Sequence, residues 1–230
     1  MICGENLEYY DTGHEFTCVE CGNMETGYVN CSRGHYVCDS CHGERSFETV
    51  KKMISDSKDE NPFEIAERII NEAQLPMLGC EHAWVTGGAL LAALRNHGSL
   101  NLDEGDLEEV LMRTRRQAVG AYCGLTGVCG IAPAIGSVYS VILGAACPKN
   151  EETSATMKVV SEVIHAISEE AGPCCCKNFV FTALEAACRN AGRYLNTTLD
   201  YEADFICSFS DRHPHGCRRE LCRFYDPIDE

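Results

Sequence analysis

Six residues in the first 45, spaced Cys18-x2-Cys21-x9-Cys31-x3-His35-x2-Cys38-x2-Cys41, constrain this chain more than anything that follows them. Two Cys-x2-Cys knuckles supply four thiolates, which is what a tetrahedral Zn²⁺ requires. The segment has few aliphatic residues, so metal binding must take the place of a hydrophobic core in folding it. Cys18, Cys21, Cys38 and Cys41 are assigned to one zinc. Cys31 and His35 lie between the knuckles. Either Cys3, His14 or His42 completes a second site with them, or both stay unliganded. Residues 1–45 are therefore read as a zinc-finger module and 46–230 as a second domain.

The whole chain carries 17 cysteines, an odd number that cannot pair completely within one molecule. Met1-Ile-Cys-Gly-Glu-Asn-Leu-Glu has neither the basic nor the apolar region of a secretory signal, so a reducing, cytoplasmic setting is expected. Thiols in that setting point to metal binding or chemistry more than to disulfides. A net charge of −16 disfavours nucleic acid and anionic membrane as partners. Gln117 to Pro148 is uncharged and long enough to raise the question of a membrane span, but six glycines and Pro133 interrupt it. A packed central helix is the expectation.

From Ser46 the sequence reads as helical. Asn61-Pro62 is a cap followed by a first-turn proline, and a helix over Glu81–His97, rich in small residues, ends at Gly98. Asp103 caps the next helix, which runs to about Val119 and closes on Arg113, Arg115 and Arg116 as a solvated last turn. Asn150 to Thr153 caps a helix whose apolar stripe is Val160, Val163, Ile164 and Ile167; His165 beside it reads as structural. Gly172-Pro173 stops that helix, and Cys174-Cys-Cys176-Lys177 opens the last one, with Cys188 on its core face. The fold class is mostly α: an all-helical main domain behind a small finger.

The main domain holds its own thiol pattern. Cys123-Gly-Leu-Thr-Gly-Val-Cys129-Gly sets two thiols in a loop whose glycines, Gly124, Gly127 and Gly130, allow close approach of backbone to a bound group. Cys175 and Cys176 form a vicinal pair, and the tail has Cys207-x9-Cys217-x4-Cys222. At least four of these seven thiols are expected to converge on one centre, and their spacing suits a [4Fe-4S] cluster better than a zinc knuckle. Lys177, His82 and His213 are the candidates for moving a proton beside it.

The Cys31-Ser-Arg-Gly-His35-Tyr-Val-Cys38-Asp-Ser-Cys41 segment resembles the first half of a RING or treble-clef zinc finger. Over about Glu81 to Phe224 the chain resembles a prokaryotic family of unknown function found in archaeal and bacterial anaerobes, alone or behind radical-SAM modules. The residues that carry the likeness are Glu81-His82, Arg95-Asn96, Cys123-Gly, Cys129-Gly, Gly136, Cys175-Cys176-Lys177, Cys207-Ser-Phe-Ser, Cys217 and Cys222. Leu125-Thr126 and His82-Ala83 depart from the family pattern, which has aromatics and a His pair there. The resemblance implies an all-helical, metal-associated domain and names no substrate. Three functions are compatible with the whole pattern. The first is an Fe–S protein, with a structural zinc, of anaerobic one-carbon, sulfur or cofactor metabolism. The second is a zinc-stabilised binding or delivery protein whose finger docks a protein partner. The third is a thiol redox or sulfur-transfer protein acting through Cys175 and Cys176.

Overall fold

The computed structural model describes residue 3 and residues 5–120, 122–170, 172 and 174–227. Pro173, expected to end a helix, lies outside them. The chain divides into two compact units, residues 1–48 and 49–230.

The first unit is built on an antiparallel hairpin, β1 (Leu7–Thr17) and β2 (Met24–Cys31), with a register shift between Tyr9 and His14. The sequence reading did not foresee these strands. Of the eight residues of β2 only two are fully buried, so the period-two alternation that marks a half-buried strand is absent. The small core here is Cys18, Tyr36 and Cys38, with Phe16, Val37 and Cys41 against it. Phe16 and Tyr36 stack with ring centroids 5.1 Å apart. The strands lead into α1 (Asp39–Asp56), whose residues from 49 onward belong to the second unit.

The second unit contains α2 (Pro62–Glu72), α3 (Glu81–His97), α4 (Glu104–Gln117), a single turn α5 (Cys123–Thr126), α6 (Ile131–Leu143), α7 (Asn150–Glu169) and α8 (Cys176–Tyr194). Local signals set most of the boundaries. Asn61 accepts a hydrogen bond from Phe63 N–H and precedes Pro62, and Gly98 closes α3 in the left-handed conformation at φ +74°. Asp103 accepts from Gly105 and Asp106 N–H, while the Asp106 carboxylate accepts from Asp103 N–H, a reciprocal capping box. Asp103→Ala is expected to cost about 1 kcal/mol, read by urea denaturation of the second unit through Trp84, the one tryptophan in the chain. α7 differs from expectation: Lys149, not Asn150, is its N-cap, and its fully buried residues are Val159, Val163 and Ile167, while Val160 is half-buried against Gly136 of α6. His165 lies exposed on α7.

α3 is the centre of the bundle and packs against α2, α4, α6 and α8. Thirteen successive residues, His82 to Leu94, are buried. That requires small side chains on the faces where helices touch. A Cβ on Gly87 would lie 3.3 Å from Ala134 O of α6 and 3.4 Å from Thr114 Oγ1 of α4. Tyr139 O–H donates to Ala187 O at 2.6 Å and ties α6 to α8. Arg113 is not simply solvated, because its guanidinium donates to Ser140 Oγ on α6. The longest helix in the uncharged central stretch is the 13-residue α6, and among the described residues no helix is long and apolar enough to cross a membrane.

The tail after α8 has little regular structure beyond two 3-10 turns, Ser210–Arg212 and Arg219–Leu221, yet it is pinned down. Phe181 of α8 stacks on Phe205 with centroids 3.9 Å apart and meets Phe224 at 5.6 Å. Cys207 N–H donates to Phe224 O, closing the tail on itself. Glu170, at the end of α7, accepts from Arg218 and from Asn178 of α8. The tail thiols are thereby held against the first turns of α8.

Candidate metal centres

In the first unit two groups of ligands lie at single-ion spacing. Cys18, Cys21, Cys38 and Cys41 form one, and Cys3, Cys31 and His35 the other; within each, the ligand atoms are all within 4.8 Å of one another. Cys21 Sγ and Cys38 Sγ are 3.7 Å apart. A tetrahedral Zn–S₄ site with bonds of about 2.3 Å places its sulfurs about 3.8 Å apart, so the first group fits zinc. In the second, Cys3 Sγ is 3.6 Å from Cys31 Sγ, and His35 Nδ1 is 3.3 Å from Cys31 Sγ and 3.4 Å from Cys3 Sγ. Of the three residues weighed as partners for Cys31 and His35, the structure brings up Cys3. His14 meets Tyr10 instead, with ring centroids 4.5 Å apart and the planes tilted by 52°, and His42 is exposed. The two ligand sets interleave along the chain: Cys3 with Cys31 and His35, and Cys18 and Cys21 with Cys38 and Cys41.

The electrostatics ask for a cation. Cys38 N–H donates to Cys18 Sγ at 3.3 Å, and that bond, with further backbone donors, pulls the Cys18 thiol down to about 6. Cys41 is pushed far up by the adjacent Cys38 and Cys21. Four thiols packed together resist becoming four thiolates, and a divalent ion removes the resistance.

The seven thiols of which at least four were expected to converge in the helical unit sort into two groups on either side of the start of α8. Cys175, the N-cap, is extended at φ −128°, ψ 106°, and extended backbone sends successive side chains to opposite faces. Cys175 turns toward the tail. With Cys207, Cys217 and Cys222 it lines an enclosed cavity of about 20 Å³, walled also by Met77, Phe205 and Phe224. Each of these four sulfurs accepts an N–H. Phe209 N–H donates to Cys207 at 3.4 Å, Arg219 N–H to Cys217 at 3.3 Å, and the Asn178 amide to Cys222 at 3.4 Å, while Cys175 accepts from the backbone of Asn178 and Lys177. Arg219 adopts φ +45° in making that turn, a conformation that costs a non-glycine residue energy. Hydrogen bonds to sulfur stabilise the thiolate and tune any metal it holds.

Cys174 and Cys176 face the other way. The Cys176 thiol is paired with Cys174, accepts from Gly79 N–H and is brought down to about 7, first by Cys174. Cys80, the N-cap of α3, and Cys129, just before α6, are pushed up by burial to about 11 and about 12, with the charges of Cys123 and Cys176 adding to both. Cys80 was not among the sequence candidates. It stands in a loop break with no thiol near it in sequence, and only the fold brings it to Cys176.

The three glycines of this loop have different tasks. Gly127 closes α5 at φ +73°; a Cβ on Gly130 would come within 3.0 Å of Ala118; around Gly124 that position meets nothing within 4 Å. Exposed Tyr122, Leu125 and Val128 surround them.

Between the two thiol groups sits Lys177, 1% exposed. Its three N–H bonds find three acceptors: Pro76 O at 3.3 Å, Met77 O at 3.4 Å and His82 Nε2 at 3.2 Å. His82 is fully buried, and burial drives it down to about 3. Its Nδ1–H donates to Gly79 O, leaving Nε2 to accept from the lysine. Burial also lowers Lys177, while the charges of Cys175, Cys176 and Cys207 oppose that shift. His213 Nε2–H donates to Cys174 O at 3.0 Å, and its Nδ1 accepts from His215 N–H. All three proton-transfer candidates thus lie at the start of α8 with their polar atoms already engaged. Cys188 is in the core and Cys147 is exposed.

No curated protein and no solved structure matches this chain. A family model does, over residues 50–225, a span that omits the finger and contains both thiol groups of the helical unit. Its match covers well over half of the 230 residues, and the chain belongs to the family that model describes, a family of unknown function (DUF5714).

Proposed function

We propose that this protein is a metal–sulfur protein of anaerobic one-carbon, sulfur or cofactor metabolism, with structural zinc in its finger and an iron–sulfur cluster in its helical unit. The observation that carries this is the cavity lined by Cys175, Cys207, Cys217 and Cys222, in which every sulfur accepts an N–H. The spacing supports a cluster over a single ion. Among the described residues only the two finger groups bring three or more ligand atoms within 4.8 Å of one another. The four cavity thiols are not gathered within that distance as a set, which suits a cluster with bridging sulfides more than one ion, and the tail must open the cavity of about 20 Å³ to admit it.

Four thiolates occupy every protein-facing position of a [4Fe-4S] cluster, so the chemistry such a group supplies when bound is electron transfer. The chain contributes the rest. Phe209, Arg219 and Asn178 donors set the charge on the sulfurs, Phe205 and Phe224 keep water out, and buried Lys177 offsets negative charge. Anaerobic purification of the full chain is expected to give zinc together with iron and acid-labile sulfide in near-equal amounts, and a broad visible absorption that bleaches in air. Zinc alone, with no sulfide, overturns the reading.

A further inference from the structure

The second thiol group of the helical unit belongs to no site described so far. We propose that Cys80, Cys123, Cys129, Cys174 and Cys176 hold a second metal–sulfur centre, separate from the tail cavity. The proposal rests on the reading of this unit as a metal–sulfur scaffold and adds a site to it.

Three helix starts bring these thiols together. Cys80 is the N-cap of α3, Cys129 directly precedes the N-cap of α6, and Cys176 is the first residue of α8. The Gly79 N–H bond to the Cys176 sulfur fixes α8 against α3. Gly130 fixes α6 against the end of α4 and the start of α3: a Cβ there would lie 3.0 Å from Ala118, too close to be accommodated easily, and 3.9 Å from Ala83. Cys129 lies within range of the charges on Cys80, Cys123 and Cys176, and Cys174 within range of those on Cys123 and Cys129. Cys175 and Cys176, adjacent in sequence and within range of each other's charge, lie on opposite sides of the α8 start.

Five half-exposed or half-buried thiols at three positive helix ends form a basin for an anionic metal–thiolate group. The nearby Glu81 carboxylate, which adds to the negative charge felt by Cys80 and Cys176, makes a cation the natural occupant. As in the tail cavity, the sulfurs stand wider than 4.8 Å as a set, so a polynuclear centre fits better than a single ion.

The test compares two double variants of the anaerobically purified full chain. Cys123→Ser with Cys129→Ser is expected to lose about half of the iron and sulfide while keeping the tail centre's spectrum; Cys207→Ser with Cys222→Ser is expected to lose the other part. If the first variant keeps all its iron and sulfide and the second loses everything, the second centre does not exist. Iodoacetamide labelling of the wild-type chain guards against misfolded variants. Cys80 and Cys129 are expected to be protected until the metal is stripped, and equal labelling before and after stripping overturns the proposal. Absence of sulfide from the wild-type chain would defeat the iron–sulfur reading alone, since protection of Cys80 and Cys129 that is lost on chelation would still establish this second site with another ion.

Discussion

Cys38→Ser is expected to unfold residues 5–38 and release zinc while leaving the helical unit intact. The size of the effect follows from how little else holds the first unit. Among the described residues its buried apolar side chains of any bulk are Tyr36 and Phe47, each stabilising by about 2 kcal/mol when buried. A structural zinc in a finger contributes on the order of 10 kcal/mol. Cys38 is critical twice over, since its sulfur lies 3.7 Å from Cys21 Sγ and its N–H holds the Cys18 thiolate. Serine keeps the N–H but loses the ligand. Amide chemical-shift dispersion of β1 and β2 should collapse, and a strong chelator should do the same to the wild type. Trp84 emission should not change in either case. A hairpin that persists without metal would mean that the fold here rests on something other than zinc.

What the sequence made legible and what it hid divide by the range of the interaction. The bounds of α3, and the caps at Asn61 and Asp103, were readable because a helix end is decided by residues within one turn of it. The Cys18, Cys21, Cys38, Cys41 set was readable for the same reason: each knuckle is local and only the pairing of knuckles is not. Cys3 is 28 residues from Cys31, and nothing in its own neighbourhood marks it as a ligand. The hairpin between them was hidden because strands with both faces largely exposed carry no hydrophobic period. In the helical unit four of the seven expected thiols, Cys175, Cys207, Cys217 and Cys222, share one cavity, and what the spacing hid is why Cys176 is not with them. Cys174, Cys175 and Cys176 are contiguous in sequence, but the extended conformation of Cys175 sends its thiol away from its neighbours'. A backbone angle that turns the thiols of one cysteine run to opposite sides leaves no trace in spacing.

Lys177→Met is expected to destabilise the helical unit by about 3 kcal/mol, an unusually large cost for removing a lysine. The reason lies in the three acceptors that remain. Pro76 O, Met77 O and His82 Nε2 are turned toward the ammonium, and methionine fills the same volume without donating to any of them. Each buried acceptor left unpaired costs about 1 kcal/mol or more. Part of this is offset because a buried cation no longer has to be stripped of water, but the carbonyls cannot turn away: they belong to the loop whose Gly79 accepts from His82 and donates to Cys176. Urea denaturation followed by Trp84, two residues from His82, reads the loss directly. The same loop carries Cys80, and the same ammonium lies near Cys175, Cys176 and Cys207, so the variant should also release metal from the helical unit faster than wild type under chelator, with finger zinc released at the wild-type rate. Lys177→Arg should not rescue either readout, because a planar five-donor fork cannot reproduce three convergent N–H bonds in a site closed around an ammonium. Wild-type stability and metal retention in Lys177→Met would show that the three contacts carry no net energy, and would remove the lysine as the charge partner of the thiols on either side of it.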